Sequence, residues 1–175
     1  MSSMSVRKTR QVETTMVAEY LLKNYSAFPY MMKVPLGPLP LEVLKSEGTA
    51  RTIKLARPFR PEIDAIVILP RHLLLIEASV WNVMEGVSKL PFYKILVPIT
   101  PELQKHFPRE LIMQVVVGWK NNNLELMAHE NNIAVKVFCP PWLQEVRESM
   151  NKYWTKEYQE ARQKKLEMQR YFGVE

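Results

Sequence analysis

Residues 61–79 read PEIDAIVILPRHLLLIEAS. Two apolar runs, Ile63–Leu69 and Leu73–Ile76, are joined by the turn-forming Pro70-Arg71-His72. Runs this short, rich in Ile, Val and Leu and bounded by Pro, predict neighbouring buried strands. Each run brings one carboxylate: Asp64 near the start of the first, Glu77 at the end of the second. A carboxylate in such a strand is costly unless it is paired, hydrogen-bonded or bound to a cation. In a hairpin, acids entering from opposite ends face one another across the ladder, an oxygen-ligand arrangement suited to Mg²⁺. The plainer reading leaves both acids at frayed strand ends, touching water.

The chain has 175 residues, enough for one domain with an appendage. The expected division is a domain over residues 1–140 and a helical extension over 141–175. A formal charge of +6 favours an anionic partner such as nucleic acid. A single cysteine, Cys139, excludes an intramolecular disulfide framework and fits a reducing, cytoplasmic setting. No apolar run approaches the roughly 20 residues that span a bilayer. Arg7, Lys8 and Arg10 are followed by no apolar stretch, so no signal peptide is expected.

Residues 6–24 predict a first helix, with Val12, Met16, Val17, Tyr20 and Leu21 on one apolar stripe. Glu13 lies on that stripe's side, either as a site acid or as a first-turn acid favoured by the helix dipole. Residues 26–34 predict a strand. The following VPLGPLP, with three Pro and one Gly in seven positions, predicts a rigid connector. Residues 49–56 alternate loosely and suggest another strand. Arg51, Lys54, Arg57 and Arg60 cluster upstream of Asp64, suited to phosphate binding or to a solvated face.

Residues 81–96 predict a helix packed on the sheet, kinked or restarted at Pro91. Lys89 and Tyr93, four apart, share one face of it. Residues 97–108 predict a loop with one turn from Glu102. Residues 110–119 predict a central strand, residues 121–131 a short helix capped by Asn121 to Asn123, and residues 133–138 a parallel strand closing a βαβ unit. The three histidines, His72, His106 and His129, show no zinc-ligand spacing. From Trp142 to Phe172 the pattern is helical, with an apolar stripe at Leu143, Val146, Met150, Tyr153 and Trp154 that thins after Tyr158. The first half is expected to dock on the domain. The second half either projects to meet a partner or a second copy, or stands as a solvated helix.

From Val12 to Phe138 this order of elements and acids resembles the PD-(D/E)XK nuclease superfamily, the restriction-endonuclease-like fold. The resemblance rests on Asp64 in IDAIVIL and Glu77 in LLLIEAS, thirteen positions apart, as the family's two strand acids. Pro61-Glu62-Ile63-Asp64 is similar to its Pro-Asp element with an insertion, and Lys89-x-x-x-Tyr93 to the Gln-x-x-x-Tyr pair of some branches. Glu13 is similar to the first-helix acid that several branches use. The resemblance implies an α/β fold: a restriction-endonuclease-like core with a central mixed sheet flanked by helices, followed by a long C-terminal helix. It implies Mg²⁺, or Mn²⁺, held by Asp64, Glu77, the Ala78 carbonyl and Glu13, with Lys89 and Tyr93 beside the reacting phosphate and the Arg51–Arg60 cluster on the DNA backbone.

The chain departs from the family where the motif lysine should follow Glu77-Ala78: the residue there is Ser79. Either Lys89 supplies the charge from the next helix, or catalysis is lost and the fold is kept. The first case implies an endo- or exonuclease acting on DNA in repair, recombination or phage DNA processing. The second implies an inactive DNA-binding or structural module of a larger assembly, virion-associated if phage-encoded.

Overall fold

A computed structural model describes residues 3–41, 59–151 and 156–172. Helix α1 spans Ser3–Tyr25 and is followed by strand β1, Tyr30–Pro35. Strands β2 (Glu62–Ile68) and β3 (His72–Ser79) form the expected hairpin, and helix α2 runs from Val83 to Leu96. Two 3₁₀ turns, Val97–Ile99 and Pro101–His106, lead to β4 (Glu110–Val117), α3 (Asn122–Glu130) and β5 (Ile133–Val137). Helices α4 (Pro141–Asn151) and α5 (Lys156–Tyr171) follow. The chain divides into two compact units, Met1–Cys139 and Pro140–Glu175.

The five strands form one mixed sheet in the order β1-β2-β3-β4-β5. β1, β2 and β3 pair antiparallel, because only a short turn separates β2 from β3. β3, β4 and β5 pair parallel, each link passing through a helix, as a parallel crossover requires. β4 lies inside the sheet as expected, with β3 the middle strand.

Adjacent residues of β4 show which helix covers which face. Gln114 donates to the Tyr20 hydroxyl of α1 at 2.9 Å. A Cβ at Gly86 of α2 would meet Val115 Cγ2 at 3.2 Å. Neighbouring strand residues point to opposite faces, so α1 and α2 sandwich the sheet. Met16, Val17, Tyr20 and Leu21 are buried under α1, and Val83, Val87, Leu90 and Tyr93 under α2. On the second face these join Leu73, Leu75, Met113, Val115 and Val117, with Leu124 and Ala128 of α3, in one core cluster.

Several expected boundaries move. β1 begins at Tyr30, not at residue 26, because the chain first turns after α1 with the Phe28 N–H on the Tyr25 carbonyl. α2 passes through Pro91 as one helix. The loop after α2 winds into two turns instead of one, each with a proline in its first positions, where no N–H is needed. Asn121 caps α3 as expected, its side chain accepting from the Leu124 N–H at 3.1 Å. The strand expected over residues 49–56 lies outside the described residues. So do Arg51, Lys54 and Arg57. In the second unit Leu143 is buried, while the described side chains of α5 are exposed. Residues 152–155, between α4 and α5, are outside the described set.

Arg60 is a correction to the expected phosphate-binding cluster. It is buried, and its guanidinium grips both Glu102 carboxylate oxygens at 2.6 and 2.9 Å. It also donates to the Gly37 carbonyl at 2.7 Å and the Leu36 carbonyl at 3.3 Å. The planar fork suits this bidentate contact, which fastens the connector after β1 to the turn after α2. Gly37, at φ 89, sits in the left-handed region and donates its N–H to the fully buried Thr100 hydroxyl at 2.8 Å. Arg60 is thus used within the protein.

Candidate active site

Strand register builds the site. The pairing of Ala65 with Ile76 and Ile66 with Leu75, carried one step on, sets Asp64 opposite Glu77. On the other side, the pairing of Met32 with Ala65 and Val34 with Ile63 sets Lys33 opposite Asp64. Lys33, Asp64 and Glu77 therefore form a row across β1, β2 and β3. Opposite residues share a face, and Glu77 stands opposite Val115, which touches α2.

The two acids are not at frayed ends. Asp64 and Glu77 are 8% and 6% exposed, so both are removed from bulk water. The Asp64 carboxylate accepts from the Ala78 N–H at 2.8 Å and pairs through its other oxygen with the Lys33 ammonium. Glu77 accepts from the Asp64 N–H at 3.3 Å. Burial, then the neighbouring Asp64 charge, push the Glu77 carboxyl well above its usual range, against the pull of Lys89 and Lys33.

Lys89 extends from α2 to this pair. Its ammonium lies 3.9 Å from Glu77 Oε1 and also pairs with Glu85, one helical turn earlier. Burial lowers the Lys89 pKa, but the Glu85 hydrogen bond and the charges of Glu77 and Glu85 outweigh it and raise it overall. Lys89 is therefore a charged hydrogen-bond donor at neutral pH, not a base. Tyr93, one turn further on, is buried and directs its hydroxyl to the Glu62 carbonyl at 3.4 Å. Burial, followed by the charges of Glu77 and Asp64, pushes its pKa upward, so the phenol stays protonated.

Glu13 approaches from α1. Its Oε1 accepts from the N–H of Val80, the residue after β3, at 3.1 Å. Burial raises its pKa and the Val80 hydrogen bond opposes that, with Asp64, Lys33 and Lys89 as further influences. Three acids and two lysines thus lie within electrostatic reach. Among the described residues, no three His, Cys, Asp or Glu side chains converge as a metal-ligand group.

Ser79, at the motif-lysine position, is buried with its Cβ beneath Gly86. Three residues along the same helix face stands Lys89. Sequence reasoning missed Lys33. The signal was present: Lys33 is the single charge in YMMKVP, but its partner Asp64 lies 31 residues away.

No family model and no curated protein matches the chain. Among solved structures, it is similar to a repair endonuclease from Pyrococcus abyssi, at 10% identity and TM-score 0.44, over 73% of this chain and 47% of that one. It is also similar to a protein of unknown function, at 14% identity and TM-score 0.42, over 70% of this chain and 54% of that one. The chain spans about half the length of each. Among the described residues, no helix is long and apolar enough to cross a membrane.

Proposed function

We propose that this chain is a divalent-metal-dependent nuclease of restriction-endonuclease-like fold, hydrolysing DNA phosphodiester bonds beside Asp64 and Glu77. The observation that carries the reading is the Lys89 ammonium 3.9 Å from Glu77 Oε1, since it brings a lysine from α2 to Glu77, where Ser79 supplies none. The charge of +6 agrees with a polyanionic substrate.

The acids fit a hard cation. They are oxygen donors on adjacent strands, and burial, then the Asp64 charge, holds the Glu77 carboxyl raised, a cost of ionisation that a cation relieves. Asp64, Glu77 and the Ala78 carbonyl would hold Mg²⁺ or Mn²⁺, with Glu13 as a further acid. The bound ion would lower the pKa of a water and stabilise charge on the phosphate. Lys89, kept charged by Glu85 and Glu77, would donate hydrogen bonds to the attacking water or to a phosphate oxygen. Tyr93, held protonated, braces the Glu62 carbonyl beside Asp64.

A second reading, an inactive DNA-binding or structural module, is favoured by one contact: Lys33 already neutralises Asp64. The two are separated by incubating single- and double-stranded DNA with Mg²⁺ or Mn²⁺ and comparing wild type with Asp64→Ala. Metal-dependent cutting lost in the variant supports the nuclease. Intact DNA with both proteins, together with retained DNA binding, supports the module.

A further inference from the structure

Lys33 has an unusual backbone for its place. It stands mid-strand in β1, with paired residues on both sides, yet its φ is 52, a left-handed conformation uncommon for a residue with a side chain. It also has an unusual partner. Its ammonium pairs with the Asp64 carboxylate in the row that ends at Glu77, and its charge lowers the cost of ionisation at both Glu77 and Glu13. The two partners differ in exposure. The Asp64 side chain is 11% exposed and accepts from the Ala78 N–H, whereas the Lys33 side chain is 31% exposed.

We infer that Lys33 is an exchangeable internal cation, occupying Asp64 until a divalent ion takes its place. This rests on the metal-dependent reading above and goes beyond it: metal binding is in competition with a residue of the protein itself. A competitor that holds Asp64 for most of the time weakens apparent metal affinity by the fraction of time the site is free. Once displaced, the ammonium remains at the rim of the acid pair, where a phosphate oxygen would be its next partner.

The test is Mn²⁺ binding, by calorimetry and by the electron paramagnetic resonance of free Mn²⁺, to wild type, Lys33→Gly, Lys33→Met, Lys33→Arg and Asp64→Asn. Gly suits the positive φ and adds no ligand atom, so this variant keeps the strand. Met keeps the apolar stem. The expected result is Mn²⁺ affinity about tenfold or more tighter in both uncharged variants, near wild type in Lys33→Arg and lost in Asp64→Asn. Unchanged or weaker affinity in Lys33→Gly and Lys33→Met, with wild type still binding through Asp64, would overturn the exchange and leave the metal site standing. No binding by any of the proteins would overturn both.

Discussion

Gly86 of α2 lies directly on Ser79 of β3, so that a Cβ at position 86 would stand 3.3 Å from the Ser79 Cβ. The same added carbon would be 3.2 Å from Val115 Cγ2, on a side chain that is fully buried. The close approach seats α2 over Ser79, and three residues further along the helix the Lys89 ammonium lies 3.9 Å from Glu77 Oε1.

Filling that contact is therefore expected to cost stability. Gly86→Ala gains about 1 kcal/mol of helix propensity but meets two atoms with little freedom to move. Overpacking of about 1–3 kcal/mol exceeds that gain, leaving a net loss of about 1 kcal/mol. Ser79→Lys, which puts a buried ammonium beneath Gly86, is expected to lose more, about 3 kcal/mol, and to gain no cleavage activity. Urea unfolding of both variants measures the losses. A stabilised Gly86→Ala would show that the helix is not pressed on the strand.

The acid pair makes stability depend on pH in a defined direction. The folded protein holds the Glu77 proton more tightly than the unfolded chain, whose value is near 4.5. Metal-free stability therefore falls as pH rises from 4.5 through the raised folded value. Glu13, also raised, contributes with the same sign. Glu77→Gln is expected to flatten this slope and to equal or exceed wild type in stability at neutral pH without metal. Denaturant unfolding across that range checks it, and a slope unchanged in Glu77→Gln would contradict it.

Arg60 is predicted to matter for folding and not for the phosphate backbone. Arg60→Met leaves the Leu36 and Gly37 carbonyls and the Glu102 carboxylate without their donor, a loss of about 3 kcal/mol. Glu102→Gln keeps an acceptor for the guanidinium but leaves the buried Arg60 charge without its counter-charge, and should lose about 2 kcal/mol. Salt-dependent DNA binding by Glu102→Gln should match wild type. A steeper or shallower salt slope would show that this corner touches nucleic acid.

Much of this architecture was legible because burial leaves a periodic trace. IDAIVIL and LLLIEAS read as neighbouring buried strands, and an acid within each was costly unless compensated or left at a frayed end. The lysine four residues before Tyr93 was readable as a helix neighbour, since local spacing fixes it. What escaped depends on contacts between distant residues. Lys33 reads as an ordinary polar position until register sets it opposite Asp64. Arg60 reads as one of a basic cluster until the fold brings Glu102 and the Gly37 carbonyl to it. Pro91 reads as a kink or a restart, and α2 runs through it as one helix, with Leu90 and Tyr93 buried on either side.

If Lys89 supplies the charge that Ser79 does not, single-turnover DNA cleavage with Mg²⁺ depends on its ammonium. Lys89 is 39% exposed, so Lys89→Met should fold as wild type does. The expected rate is about 100-fold lower in Lys89→Met, partly retained in Lys89→Arg, and not above background in Asp64→Ala. Cleavage by Lys89→Met at the wild-type rate, with Asp64→Ala inactive, would contradict it.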